Sequence, residues 1–359
     1  VVFVTGSNTT ETHPVIGSLI RQAKRKGAKI IVAEPRRIPL CREADVFLQI
    51  KPGTNVALFN GMMNVIINEG LQDQKYIDER TEGYEQLVEV VKDYTPEVVA
   101  EICQIDAEEL KKAARLYAKA DKAGIYYAMG VTQHSTGTEG VMGTSNLALL
   151  CGKIGKYGCG VNPLRGQNNV QGSCDMGCLP GDMPGYQKIF NDAVREKFEK
   201  AWGVSLSGKP GLTVTEIMNA VEAGKIRGLY IMGENPMMSD PDLNHVKKAL
   251  ESCELLVVQD IFLTETAALA DVVLPGATFA EKDGTFTNTE RRVQRVRQVV
   301  PPKGECRDDW WTLMQVMNRI GYKCHYDKVE DIFNELRTVT PSYAGITYQR
   351  IENGGIQWP

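Results

Sequence analysis

Twice in this chain an apolar strand runs into a glycine turn, a helix and a second apolar strand ending on an acid, an order that points to α/β units built on parallel strands. The first copy opens with Val1-Val2-Phe3-Val4 and the turn Thr5-Gly6-Ser7-Asn8. A helix follows through His13-Pro14, where the proline's missing N–H does no harm; Ile16, Leu19, Ile20 and Ala23 share one face, and Gly27 ends it. Residues 29–33 read as a β-branched strand finishing at Glu34, with Pro35-Arg36-Arg37 behind it. The second copy runs from a strand at 228–232 through Gly233-Glu234-Asn235-Pro236 and a helix at about 243–250 to a strand at 255–258 and Gln259-Asp260.

The two copies keep nearly the same spacing from Gly6 to Glu34 as from Gly233 to Asp260, and the same spacing from Glu34 to Asp45 as from Asp260 to Asp271. Each also sets Ala-Asp before an apolar strand and Pro-Gly after it: Ala44-Asp45 with Pro52-Gly53, and Ala270-Asp271 with Pro275-Gly276. The repeat predicts an α/β fold of two pseudo-symmetric, Rossmann-like dinucleotide-binding domains with largely parallel sheets, at 1–165 and 166–335. Parallel sheets take ligands outside the carboxyl ends of their strands, so a cofactor cleft between the halves is expected. Between the copies lie an amphipathic segment at 107–120, a strand at 124–129, the polar loop Gly130-Val131-Thr132-Gln133-His134-Ser135-Thr136-Gly137 and a helix at 141–150.

That helix leads into residues 163–177, Pro-Leu-Arg-Gly-Gln-Asn-Asn-Val-Gln-Gly-Ser-Cys-Asp-Met-Gly, a run without apolar periodicity that suits neither helix nor strand. Its amides, Gln167 among them, offer donors and acceptors, its glycines admit a close neighbour, and Arg165 is its one cation, a planar fork suited to carboxylate or phosphate. The run reads as a ligand wall.

Charge and composition narrow the partners. A formal net charge of −4 gives no footprint for nucleic acid, and apolar runs such as 1–4 and 255–258 are far too short to span a bilayer. Nine cysteines without a CxxC pair predict mostly buried thiols in a reducing, cytoplasmic setting; Cys174 and Cys178 lack companions at metal-ligand spacing. Because the chain opens on Val1 inside an apparent strand, a longer polypeptide is expected around it.

The first turn of each copy is G-x-N rather than GxGxxG, which disfavours an ordinary nicotinamide site but leaves phosphate binding by the turn open, with Glu34 and Asp260 as matched strand-end acids. No nucleophile with a paired base is visible among the four histidines: His13 reads as a local hydrogen-bonding group, and His134, between Gln133 and Ser135, as the stronger ligand-side residue. Binding groups abound and intrinsic chemistry is scarce, as expected where a cofactor performs the difficult step.

The segments GSNTTETHP (6–14), AEPRR (33–37), GVTQHSTG (130–137), PLRGQNNVQGSCDMG (163–177), MGENP (232–236), QDIFLTETA (259–267), ADVVLPG (270–276) and EKDGTFTNTERRVQ (281–294) together resemble the molybdopterin oxidoreductases, and within them the formate dehydrogenase catalytic subunits. The resemblance runs over essentially the whole chain and implies that residues 336–359 are a linker toward a further C-terminal domain. It implies molybdenum or tungsten held by two molybdopterin guanine dinucleotides, bis(molybdopterin guanine dinucleotide). Gly6, Asn8, Glu34, Arg36, Gly130, Gln133, His134 and Gln167 would serve one dinucleotide, and Gly233, Asn235, Asp260, Thr264 and Glu265 the other. Arg165 would hold formate or nascent carbon dioxide as the oxidoreductase removes two electrons, passing them to electron-transfer subunits or an iron-sulfur/NAD partner. The family's four-cysteine motif for a 4Fe-4S cluster, expected only N-terminal to this chain, is missing, and so is its Cys- or selenocysteine-His pair; no metal ligand is therefore expected here, and the fragment alone would be inactive. A nitrate reductase of the same architecture, or a non-enzymatic scaffold in an electron-transfer complex, are the competing readings.

Overall fold

In the computed structural model, residues 1–358 are described, and they form two compact units that divide after Gln167. The first is a doubly wound sheet of five parallel strands in the order β3-β2-β1-β4-β5: β1 (Val2–Thr5), β2 (Ile30–Ala33), β3 (Val46–Leu48), β4 (Gly124–Tyr127) and β5 (Gly160–Pro163). Strand alternation supplies two cores. Phe3, Ile31 and Ile125 face Leu58, Phe59, Met62 and Tyr117 from helices α2 (Asn55–Asn68) and α3 (Ala107–Lys119), while Val4, Ile30 and Val32 face Ile20 of α1 (Pro14–Arg25) and Leu40. Each fully buried Val, Ile or Phe here contributes about 1.5–3 kcal/mol. Leu19, expected on the buried face of α1, is instead 57% exposed. Helix α4 (Gly137–Leu150) begins earlier than the expected 141–150, because a glycine at 137, whose Cβ would lie 2.0 Å from the Thr132 carbonyl oxygen, permits the tight turn.

The 163–177 run is not wholly irregular. Pro163 closes β5 and residues 164–168 are irregular, but helix α5 (Val170–Asp175) follows, entered through Asn169 in the left-handed conformation at φ 65°. A Cβ on Gly172 would approach the Asn169 Oδ1 to 2.1 Å, and Gln171 Nε2 donates to Asp175 Oδ1 at 2.8 Å one turn on, so local side-chain bonds override the lack of apolar periodicity.

The second unit repeats only part of the first. Its parallel sheet holds three strands in the order β8-β7-β6, from β6 (Gly228–Met232), β7 (Leu255–Asp260) and β8 (Val272–Pro275). Val246, Ala249 and Leu250 of α6 (Leu243–Glu251) cover one face with Leu256 and Val258, whereas Tyr230, Met232 and Val273 are exposed. The predicted pseudo-symmetry thus extends to strand, turn, helix and two strands but not to counterparts of β4 and β5 within this sheet. An antiparallel sheet of β9 (Gly284–Thr287), β10 (Arg292–Val296) and β11 (Ile356–Gln357) completes the unit with α7 (Val329–Val339). Residues 336–358 are therefore no linker: Tyr343, Ile346, Tyr348 and Ile351 pack with Val293 and Phe333, and β11 pairs with β10. Nor are most cysteines buried; Cys41, Cys103 and Cys151 are, while Cys178 is exposed. Among the described residues no helix is long and apolar enough to cross a membrane.

The Ala-Asp repeat has one structural task. Asp45 accepts the Ile30 N–H at 2.8 Å where β2 begins, and Asp271 accepts the Leu256 N–H at 2.7 Å near the start of β7. Burial opposes ionisation of Asp45, but Lys24, the Ile30 N–H and Lys29 outweigh it and pull its carboxyl down to about 2. A folded-state value below the unfolded one means the stabilisation is complete above about pH 4 and is lost as pH falls toward 2. An Asp45→Asn variant should melt lower than the parent at pH 7, with the difference shrinking through that acid window; an unchanged melting difference at pH 2.5 would contradict this.

Candidate active site

In the first unit the strand order reverses between β1 and β4, and the loops leaving these two strands meet. The Gly130 N–H donates to the Gly6 carbonyl at 3.1 Å, and a Cβ on Gly6 would lie 2.6 Å from the Gly130 carbonyl carbon. Gly6 takes φ +59°. The two glycine backbones meet with the Val131 side chain beside them, leaving no room for a Cβ at Gly6, and the loop beyond exposes Thr132, Gln133, His134 and Ser135. His134 Nε2 bonds the Gly130 carbonyl at 3.1 Å, bracing the one-turn helix Met129–Thr132.

Glu34 follows β2 on the same edge and is buried, its Oε1 accepting the Ser7 N–H. Burial pushes its carboxyl above the usual range, against the pull of the Ser7 N–H and of Arg36. Arg36 is exposed, and Asn8, half-buried, uses its Oδ1 only for the Thr10 hydroxyl at 3.2 Å among the described residues.

Arg165 leaves the carboxyl end of β5. The Leu164 N–H donates to the Tyr127 carbonyl at 2.7 Å, and the Arg165 carbonyl is 2.6 Å from His13 Nε2. A carbonyl can only accept, so Nε2 carries the hydrogen; Nδ1 lies 2.8 Å from the Thr12 hydroxyl. His13 is thus a local hydrogen-bonding group, as its loop position suggested, but its partner is the main chain of Arg165, a pairing across most of the first unit that no sequence pattern signals. Burial raises the Tyr127 phenol above its ordinary range, and the charge of Arg165 pulls it partly back. Arg165 itself is half-buried, and Gly166, Gln167 and Asn168 are exposed.

The second unit builds the matching turn. Asn8 and Asn235 each precede a one-turn helix, Thr9–Thr12 and Pro236–Ser239, and each carbonyl accepts two N–H groups of that helix. Asn235 Oδ1 accepts the Thr266 N–H at 3.2 Å and hydroxyl at 2.6 Å, while its Nδ2 donates to Glu265 Oε2 at 2.9 Å and holds that carboxyl below the usual range. Thr264 Oγ1 accepts the Ala267 N–H at 3.1 Å. Asn235, Thr264 and Glu265 therefore knit the Gly233 turn to the loop after β7. Asp260 Oδ1 accepts the Ile261 and Phe262 N–H groups, and among the described residues no hydrogen bond reaches its Oδ2.

The chain belongs to the molybdopterin oxidoreductase family, whose model matches residues 1–319. The match supports a molybdopterin cofactor with molybdenum or tungsten. The chain is 56% identical over its whole length to the F420-dependent formate dehydrogenase subunit alpha of Methanocaldococcus jannaschii, covering 53% of that protein, and 46% identical to formate dehydrogenase H of Escherichia coli, covering 50%. It spans about half the length of these relatives. Acetylene hydratase from Pelobacter acetylenicus superposes with a TM-score of 0.78 at 25% identity, over 99% of this chain and 51% of that one.

Proposed function

We propose that this chain is the central, cofactor-binding portion of a formate dehydrogenase catalytic subunit, which oxidises formate to carbon dioxide and passes two electrons to other subunits. The observation that carries the reading is Arg165: a half-buried arginine just past the carboxyl end of β5, in the sheet whose switch-point loops meet glycine to glycine. The residues fit the expected cofactor. Gly6, Asn8, Glu34, Arg36, Gly130, Gln133, His134 and Gln167 would hold one guanine dinucleotide, and Gly233, Asn235, Asp260, Thr264 and Glu265 the other. When bound, the molybdenum or tungsten centre supplies the two-electron redox chemistry. The chain itself binds and orients: Arg165 pairs with the formate carboxylate, while His13 and the Tyr127 carbonyl fix its backbone so that little ordering is left for binding. The names of the relatives favour formate over nitrate, and the intact arginine speaks against a scaffold that has lost chemistry. A 4Fe-4S cluster in the preceding part of the subunit and a cytoplasmic site for the enzyme belong to the same proposal.

The test is the full-length subunit, purified with its metal, assayed with formate and with nitrate. Formate-dependent reduction of a viologen or deazaflavin acceptor with no nitrate reduction is the expected result. Nitrate reduction without formate oxidation would replace this reading with a nitrate reductase, and absence of metal would favour the scaffold.

A further inference from the structure

Asp175, the last residue of α5, is fully buried, and its carboxylate is surrounded by donors from four separate segments. Oδ1 accepts from Gln171 Nε2 at 2.8 Å and the Tyr186 hydroxyl at 3.0 Å; Oδ2 accepts from the Tyr343 hydroxyl at 2.5 Å and Trp358 Nε1 at 2.8 Å. The Asp175 carbonyl also accepts the Gly185 N–H at 2.7 Å. Tyr343 continues the network to the Thr287 hydroxyl at 3.1 Å, and the Thr287 N–H donates at 2.9 Å to Asn169 Oδ1, at the entry of α5. Arg291 lies over the Trp358 ring at 5.5 Å. The network thus joins both ends of α5 to the strand β9 and to residues 343–358. An unpartnered buried carboxylate is costly, so such a group persists where all its acceptor sites are used.

The run that carries Arg165 is consequently fastened at two points, by His13 and the Tyr127 carbonyl upstream and by the Asp175 network downstream, with Gly166, Gln167 and Asn168 exposed in between. We propose that Asp175 is a positioning residue for formate binding: its buried hydrogen-bond network holds the downstream end of this run, and so keeps Arg165-Gly166-Gln167 in the binding conformation. The proposal rests on the formate reading above. Asparagine keeps the shape of Asp175 but presents an NH2 group where only acceptors fit. Trp358 can only donate, so amide and indole N–H groups oppose each other unless the amide turns toward the Gln171 and Tyr186 side.

The test compares Asp175→Asn with the parent in the metal-loaded, full-length subunit, by amide hydrogen exchange over residues 166–176 and by formate kinetics. Expected are faster exchange confined to that run and to its partners near 287 and 343, a formate KM raised about tenfold with kcat within about twofold, and unchanged bound metal. Restoration of exchange protection and KM toward the parent by adding Trp358→Phe, which removes the opposing donor, is expected too. Unchanged exchange over 166–176 would overturn the proposal whatever the enzyme acts on. Faster exchange with an unchanged KM would overturn it in a formate-active enzyme. Should Asp175→Asn fail to accumulate, Tyr343→Phe, which keeps the ring and cuts the link to Thr287, is expected to raise KM in the same direction, and an unchanged KM there would overturn the proposal.

Discussion

An Arg165→Lys variant of the full-length subunit is expected to lose about 10- to 100-fold in kcat/KM for formate while retaining its metal and its fold. Main-chain bonds, from His13 Nε2 to its carbonyl and from the Leu164 N–H to the Tyr127 carbonyl, hold the backbone at this position, and they do not depend on the head group. Lysine keeps the positive charge. It replaces a planar fork able to give two parallel N–H bonds to a carboxylate with a compact, strongly hydrated ammonium. Loss of one charge-assisted hydrogen bond is worth about 1.5–3 kcal/mol, the origin of the range given. Steady-state kinetics with formate, beside metal analysis, measure it. Full turnover in the lysine variant would remove Arg165 from substrate binding, and loss of metal in proportion to activity would move it to the cofactor.

The elements that bear this arginine were legible because they repeat a local grammar. The 1–4 and 30–33 runs are fully apolar, and Phe3, Val4 and residues 30–33 sit buried between two helical layers as such runs must. The Ala44-Asp45 and Ala270-Asp271 pairs look like minor coincidences in the chain, yet each acid closes the same backbone N–H at a strand start. Contacts between distant segments were not legible. His13 and Arg165, or Asp175 and Tyr343, lie far apart in sequence, and a hydrogen bond across such a distance leaves no periodicity, spacing or composition from which to infer it. The same holds for residues 336–358, expected as a linker although Tyr343 and Ile351 are almost wholly buried. The second sheet fell short of a full copy for a related reason: the repeat ends with the strand after Asp271, and nothing in the spacing indicates how many strands a sheet will recruit beyond it.

The largest effect on the cofactor should come from the smallest substitution. Gly6→Ala places a methyl 2.6 Å from both the Gly130 carbonyl carbon and the Val131 nitrogen, and these are backbone atoms that cannot swing aside. It also forces an L-residue to φ +59°. Together the overlap and the left-handed backbone should cost about 2–4 kcal/mol, or be relieved by parting the β1 and β4 loops at the switch point. Gly233→Ala is the internal control, since Gly233 occupies the corresponding turn at φ +62° but has nothing within 4 Å of its Cβ direction. Only the backbone term applies there, about 1 kcal/mol. If the β1–β4 junction cradles a dinucleotide, Gly6→Ala should lower bound metal and guanine nucleotide several-fold along with the melting temperature, and Gly233→Ala should lower the melting temperature much less, by about 2–4 °C. Equal losses in the two variants would show that the contact between Gly6 and Gly130 has no special place in holding the cofactor, because the two turns differ chiefly in what a methyl group would strike.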